Sequence, residues 1–111
     1  MKKNRPIGVF DSGLGGISVL RELVKLLPRE RFLYYGDTAN APYGSRPTRE
    51  IQELSLAAAE YLLGQGCKAL VIACNTATAA AIELLRQTYP DTIIVGIEPA
   101  LKLACQRHKG G

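Results

Sequence analysis

Apolar residues fall along this chain in two rhythms. Four short runs have strand length: Ile7 to Phe10 (I-G-V-F), Arg31 to Tyr35 (R-F-L-Y-Y), Ala69 to Ala73 (A-L-V-I-A) and Thr92 to Ile97 (T-I-I-V-G-I). The third carries β-branched Val71 and Ile72 at its middle and suits a strand buried on both faces. Between these runs apolar residues recur at helical spacing. Ile17, Leu20, Leu23, Val24 and Leu27 make one stripe, which Pro28 stops. Ile51, Leu54, Ala58, Tyr61 and Leu62 make a second. Thr48 is placed to cap it, Glu50 and Glu53 fall in its favourable first turn, and Gly64 and Gly66 end it. An alanine-rich run from Ala77 to Leu85 opens a third helix, expected to reach about Tyr89 before Pro90. A fourth is expected from Ala100 to Arg107, after Glu98 and Pro99. Between the second run and the second stripe lies a long polar connection, Asp37 to Pro47, with two prolines and a glycine.

The resulting order is βαβαβαβα. Crossovers of that length require parallel neighbours, with helices on both faces of the sheet. The expectation is a doubly wound, three-layer α/β/α domain with a four-stranded parallel sheet in the order 2-1-3-4. That order puts Asp11 and Cys74 at the tips of adjacent strands, facing one crevice. Residues 1–107 would be the domain. The tail Lys109-Gly110-Gly111 reads as a linker or a cut point, so that 108–111 would begin a connection to a second domain.

Composition narrows the function classes. A chain of 111 residues supports one real core but is small for a complete enzyme. Fourteen Lys and Arg against ten Asp and Glu give a net charge of +4, with no run of five like charges, which argues against a nucleic-acid face. The basic start M-K-K-N-R-P-I-G-V-F loses its apolar character at Asp11, too soon for a signal peptide, and no run approaches a membrane span. Three cysteines, at 67, 74 and 105, form no C-x-x-C pair and read as reduced cytoplasmic thiols.

Cys74 stands apart from the other two. It follows the most buried strand and precedes a helix, and the residues after it are Asn75 and Thr76 rather than more hydrocarbon. Free cysteines are most often small buried hydrophobes, and Cys67 and Cys105 are read that way. At a helix N-terminus, unpaired N–H groups favour a thiolate and attract a carboxylate or phosphate. Two thiol chemistries are absent by spacing. A phosphatase-type loop needs arginine where Ala80 stands, and a redox pair needs cysteine where Ala77 stands. A thiolate acting as nucleophile or as base remains.

The turn Gly13-Leu14-Gly15-Gly16 resembles a phosphate cradle. It fails the dinucleotide fingerprint, since Ser18 occupies the third glycine position. A tight strand–helix turn explains it about as well. Asp11 and Ser12 could be turn and cap residues, and Asp11 gains weight through the crevice it would share with Cys74. Tyr43 and Gly44 sit in the long polar connection, the kind of loop that often carries function. His108 reads as an exposed bystander. No cluster has metal-ligand spacing, so no metal is expected.

Three stretches together resemble a known family: G-V-F-D-S-G-L-G-G at 8–16, G-D-T-A-N-A-P-Y-G at 36–44 and A-C-N-T-A-T at 73–78. The chain is similar, over nearly its whole length and in the same order, to bacterial glutamate racemase, within the cofactor-independent aspartate/glutamate racemases. I-V-G-I-E-P at 94–99 also fits. The resemblance implies that Cys74 is the first of two catalytic thiols and Asp11 the acidic residue that assists it. It implies substrate-binding roles for Asp11, Ser12, Tyr43, Gly44, Asn75 and Thr76. It further implies glutamate as substrate, no cofactor, and D-glutamate as a product feeding peptidoglycan synthesis in the cytoplasm. The family's second thiol lies in a C-T-H-like motif of a second domain, and nothing after Cys74 matches it. The chain is therefore expected to be an N-terminal half holding half a site. An open strand edge and apolar surface make it prone to associate, and a homodimer is compatible with that. Two other readings stay open: a racemase for aspartate or another acidic amino acid, and a non-catalytic module that holds phosphate or another anion.

Overall fold

A computed structural model of the chain describes residues 4–13 and 16–97. Four strands, β1 (Ile7–Asp11), β2 (Phe32–Gly36), β3 (Ala69–Ile72) and β4 (Ile93–Gly96), form one all-parallel sheet in the order β2-β1-β3-β4. Three α-helices cover it: α1 (Gly16–Leu26), α2 (Thr48–Gly64) and α3 (Asn75–Thr88). This is the expected three-layer, doubly wound arrangement. The expected fourth helix, the tail at 108–111, Cys105 and His108 lie outside the described residues, as do Leu14 and Gly15 of the glycine turn.

Side chains of a strand alternate between faces, and here the alternation divides the core in two. Val9 and Val71 pack with Val19 of α1 on one side of the sheet. Phe10, Leu70, Ile72 and Ile94 pack with Ala58, Leu62, Ala77, Ala81 and Leu85 of α2 and α3 on the other. The middle strands are buried on both faces. The edge strand β4 is not: Ile93 and Val95 are exposed while Ile94 is buried.

Several local expectations are corrected. β1 and β2 each run one residue further than their apolar content suggests, because Asp11 pairs with Gly36 at the end of the ladder. The N-cap of α2 is Pro47 in extended conformation, not Thr48, which is already helical. The polar connection is not wholly irregular, for two 3-10 turns occupy Thr38–Asn40 and Tyr43–Ser45. Gly66, with φ +92°, supplies the left-handed residue after α2. On α2 the buried set is Ile51, Ser55, Ala58, Ala59 and Leu62. Tyr61 is 48 % exposed, its ring 5.4 Å from that of Tyr35.

The stripe on α1 is also turned from the one expected. Val19 and Glu22 are buried, while Val24 is 48 % and Leu27 43 % exposed. Among the described residues, the helix covers β1 and β2 and no helix covers the neighbouring part of that face. Leu23 and Leu27 border an apolar groove there, with Ile7, Val71, Ile93, Val95 and Ile97 along the sheet. Among the described residues, no helix is long and apolar enough to cross a membrane.

Candidate active site

The C-terminal ends of the strands form a rim, and strand-type hydrogen bonds continue past them. Ala73 N donates to Phe10 O at 2.7 Å, Asp37 N to Asp11 O at 2.9 Å, and Ile97 N to Ile72 O at 2.9 Å. The first residues of the connections are thereby held as rigidly as the sheet, which is how an open parallel sheet presents side chains at its ligand-binding edge.

Cys74 is the N-cap residue of α3. Its backbone is extended (φ −107°, ψ 120°) and its Sγ accepts from Ala77 N at 3.5 Å. The thiol thus takes the place that a serine or aspartate oxygen usually fills at a helix start. Its carbonyl accepts from both Thr78 N and Thr78 Oγ1 at 2.9 Å. Cys74 is 6 % exposed, and it borders a hollow of about 180 Å³ lined also by Ser12, Pro42, Tyr43, Gly44, Asn75 and Thr76. Six of the seven residues singled out in the sequence come together around this hollow. The Asn75 Oδ1 atom is buried and has no hydrogen-bond partner among the described residues.

Asp11, the seventh, does not line the hollow. It stands at the tip of the strand next to that of Cys74, as the strand order requires. Alternation sends Phe10 toward α2 and α3 and Asp11 toward the α1 face, where its side chain is fully buried. Tyr34 Oη donates to Asp11 Oδ2 at 2.9 Å. Burial first, then the hydrogen bond to Asp11 and its negative charge, push the Tyr34 phenol up to about 12, so it remains a donor throughout the neutral range.

The polar connection is organised around a residue that sequence reasoning passed over. The Asp37 carboxylate accepts from Asn40 Nδ2 at 2.9 and 3.1 Å and from Tyr43 Oη at 2.6 Å. Arg46 Nε donates to Asn40 O at 2.8 Å, and the Arg46 guanidinium pairs with Glu50 on the first turn of α2. The peptide between Ala41 and Pro42 is cis. Tyr43 is buried with its ring against Phe10, centroids 6.1 Å apart. Burial above all, then the hydrogen bond and charge of Asp37 and the nearby Cys74, raise its phenol far beyond the usual range. Its proton is committed to Asp37, so Tyr43 serves the hollow as a fixed wall. An acidic residue directly after a strand tip and before a long polar loop was the available signal for Asp37. At the β1 turn, Gly13 has φ +99°, and a Cβ there would lie 2.8 Å from the Thr38 Cα. That glycine brings the Ser12 turn against the start of the polar connection.

No family model matches the chain. Individual relatives do. It is 59 % identical over 106 residues to the glutamate racemase of Clostridium novyi, covering 96 % of this chain and 41 % of that protein. It is 54 % identical over 110 residues to the one from Clostridium botulinum (strain Alaska E43), covering 99 % and 43 %. Among solved structures, glutamate racemase from Thermus thermophilus in complex with β-chloro-D-alanine superposes with a TM-score of 0.81 at 49 % identity, over 85 % of this chain and 36 % of that one. The Francisella tularensis enzyme in complex with D-glutamate gives 0.80 at 39 %, with the same coverage. The chain spans about two fifths of the length of the curated relatives it matches, and over nearly all of its own length it is similar to glutamate racemases.

Proposed function

We propose that this chain supplies the first half of a two-thiol site that interconverts L- and D-glutamate without a cofactor. The supporting observation is the sulfur of Cys74, set at a helix N-terminus and opening on a small hollow that Ser12, Asn75 and Thr76 also line. An ordinary cysteine ionises near 8.5, close enough to neutrality for a thiol to serve as acid or base. The Cys74 thiolate takes the α-proton, and the C–H electron pair stays on the α-carbon, spreading into the substrate carboxylate. A thiol on the opposite face, supplied from beyond this chain, returns a proton there and inverts the centre. With no cofactor to hold the carbanion, the stabilisation must come from preorganised donors. Asn75, Thr76 and the first N–H groups of α3 are suited to the carboxylate, and Ser12, Tyr43 and Gly44 shape the opposite wall. Asp11 orients the thiol or offsets the charge of the substrate ammonium. D-Glutamate made this way would feed peptidoglycan synthesis in the cytoplasm. Pairing of two copies of the completed enzyme is compatible with β4 standing at the edge of the sheet among the described residues and is checked by sedimentation velocity.

The test completes the chain with the remainder of the Clostridium novyi relative and follows conversion of L- to D-glutamate, with aspartate assayed alongside. Cys74→Ala is expected to lower the rate by at least about 10²–10⁴-fold, the span typical of a lost general acid or base. Full activity in that variant would remove the proposal. In the 111-residue chain itself, glutamate is expected to slow alkylation of Cys74 at pH 7. Protection by phosphate but not by glutamate would favour an anion-binding module.

A further inference from the structure

Tyr34 and Asp11 are not directly opposed in the sheet. β1 and β2 pair Val9 with Tyr34 and Asp11 with Gly36. Both Tyr34 and Asp11 project toward α1, one step out of line along the strands. A phenol standing upright from β2 would point past the carboxylate rather than at it. Tyr34 reaches Asp11 because its ring lies down along its own strand, across Gly36. A Cβ built on Gly36 would sit 2.9 Å from both Cε2 and Oη of Tyr34 and 3.2 Å from its Cζ. Only glycine leaves that space, although nothing in the Gly36 backbone conformation demands glycine.

We propose that Tyr34 is a positioning residue for Asp11, and that Gly36 is there to let the phenol lie across the strand and hold the carboxylate. The inference rests on the racemase reading, and it adds two residues to that reading. Asp11 is fully buried at the tip of the strand beside that of Cys74. A carboxylate in such a place acts on a neighbouring thiol or ammonium through its orientation and its charge. A donor fixed on the adjacent strand at 2.9 Å sets the first and supports the second. The donor comes from a sheet strand, not from a loop, so the arrangement is preorganised before substrate arrives.

Two substitutions break the contact in different ways in the completed enzyme. Tyr34→Phe removes only the hydroxyl. Gly36→Ala keeps the hydroxyl and pushes the ring away. Each is expected to lower kcat about tenfold or more, as loss of a hydrogen bond to a charged group does, with KM within about twofold of the parent. Deuterium uptake at the α-carbon is the assay, because it registers slow turnover. In an Asp11→Asn background neither change should lower kcat further. A purely structural role would instead lower kcat by the same factor in both backgrounds, and that result overturns the proposal. So does parental kcat in Tyr34→Phe. Should Gly36→Ala fail to fold, the Tyr34→Phe and Asp11→Asn pair decides alone. A parent enzyme that does not act on glutamate would bring down the racemase reading and this role with it. An active parent with an unaffected Tyr34→Phe would bring down this role only.

Discussion

A buried tyrosine, Tyr43, and a half-buried one, Tyr34, each donate a hydrogen bond to an aspartate, and the pairs hold different parts of the rim. Tyr43 with Asp37 fastens the polar connection, and Tyr34 with Asp11 fastens the β1 tip. Tyr43→Phe is expected to destabilise the fold by about 1–3 kcal/mol, because Asp37 loses a buried charge-assisted partner. In the completed enzyme it should raise KM for glutamate several-fold with a smaller change in kcat, as measured by steady-state kinetics. Ser55 is a contrasting case: fully buried, with its Oγ lacking a partner among the described residues. Ser55→Ala should therefore raise stability by about 1 kcal/mol in a denaturant titration. At this scale the sequence was informative about Cys74, because a residue between an apolar run and a helix start can only be at the rim. It was silent about Tyr34 and Asp37. Their partnerships depend on which strands adjoin, in what register, and on the direction a ring takes, none of which leaves a trace in residue type.

Among the elements, order and kind were readable while facing was not. Run length and β-branching separated strands from helices, and the short crossovers fixed the parallel sheet. The buried set of α2, at 51, 55, 58, 59 and 62, follows helical geometry closely. Reading by polarity discarded Ser55 and admitted Tyr61, an aromatic that rests its ring on Tyr35 from the surface. On α1 the same error came from assuming that every leucine and valine in a helical stripe meets the core. Among the described residues, Val24 and Leu27 have no such partner where the helix overhangs the sheet. Leu62, by contrast, sits with no exposure where α2 meets the sheet. Leu62→Ala should destabilise by about 2–5 kcal/mol, seen as a lower denaturant midpoint with little change in slope.

For the molecule as a whole, burial of acidic hydrogens sets its response to alkali. Burial raises the Cys67 thiol above the ordinary cysteine value, and the phenols of Tyr34 and Tyr43 stand above their usual 10.0. In the unfolded chain these groups lose protons first, so the folded state binds more protons between the two sets of values. Stability is then complete below about pH 9 and declines as pH climbs toward the folded values. The melting temperature is expected to fall steadily above pH 9, and Cys67→Ala should flatten the first part of that fall even if it melts lower at neutral pH. A calorimetric series from pH 7 to 11 checks both. The groove beside α1 has a practical consequence as well. Dyes that brighten on hydrocarbon, as they do on loosened proteins, should already glow with the native domain through Leu27, Ile93 and Val95. Fluorescent thermal-shift screens would start from a raised baseline. With five tyrosines and no tryptophan, the chain is better followed by its own near-ultraviolet emission.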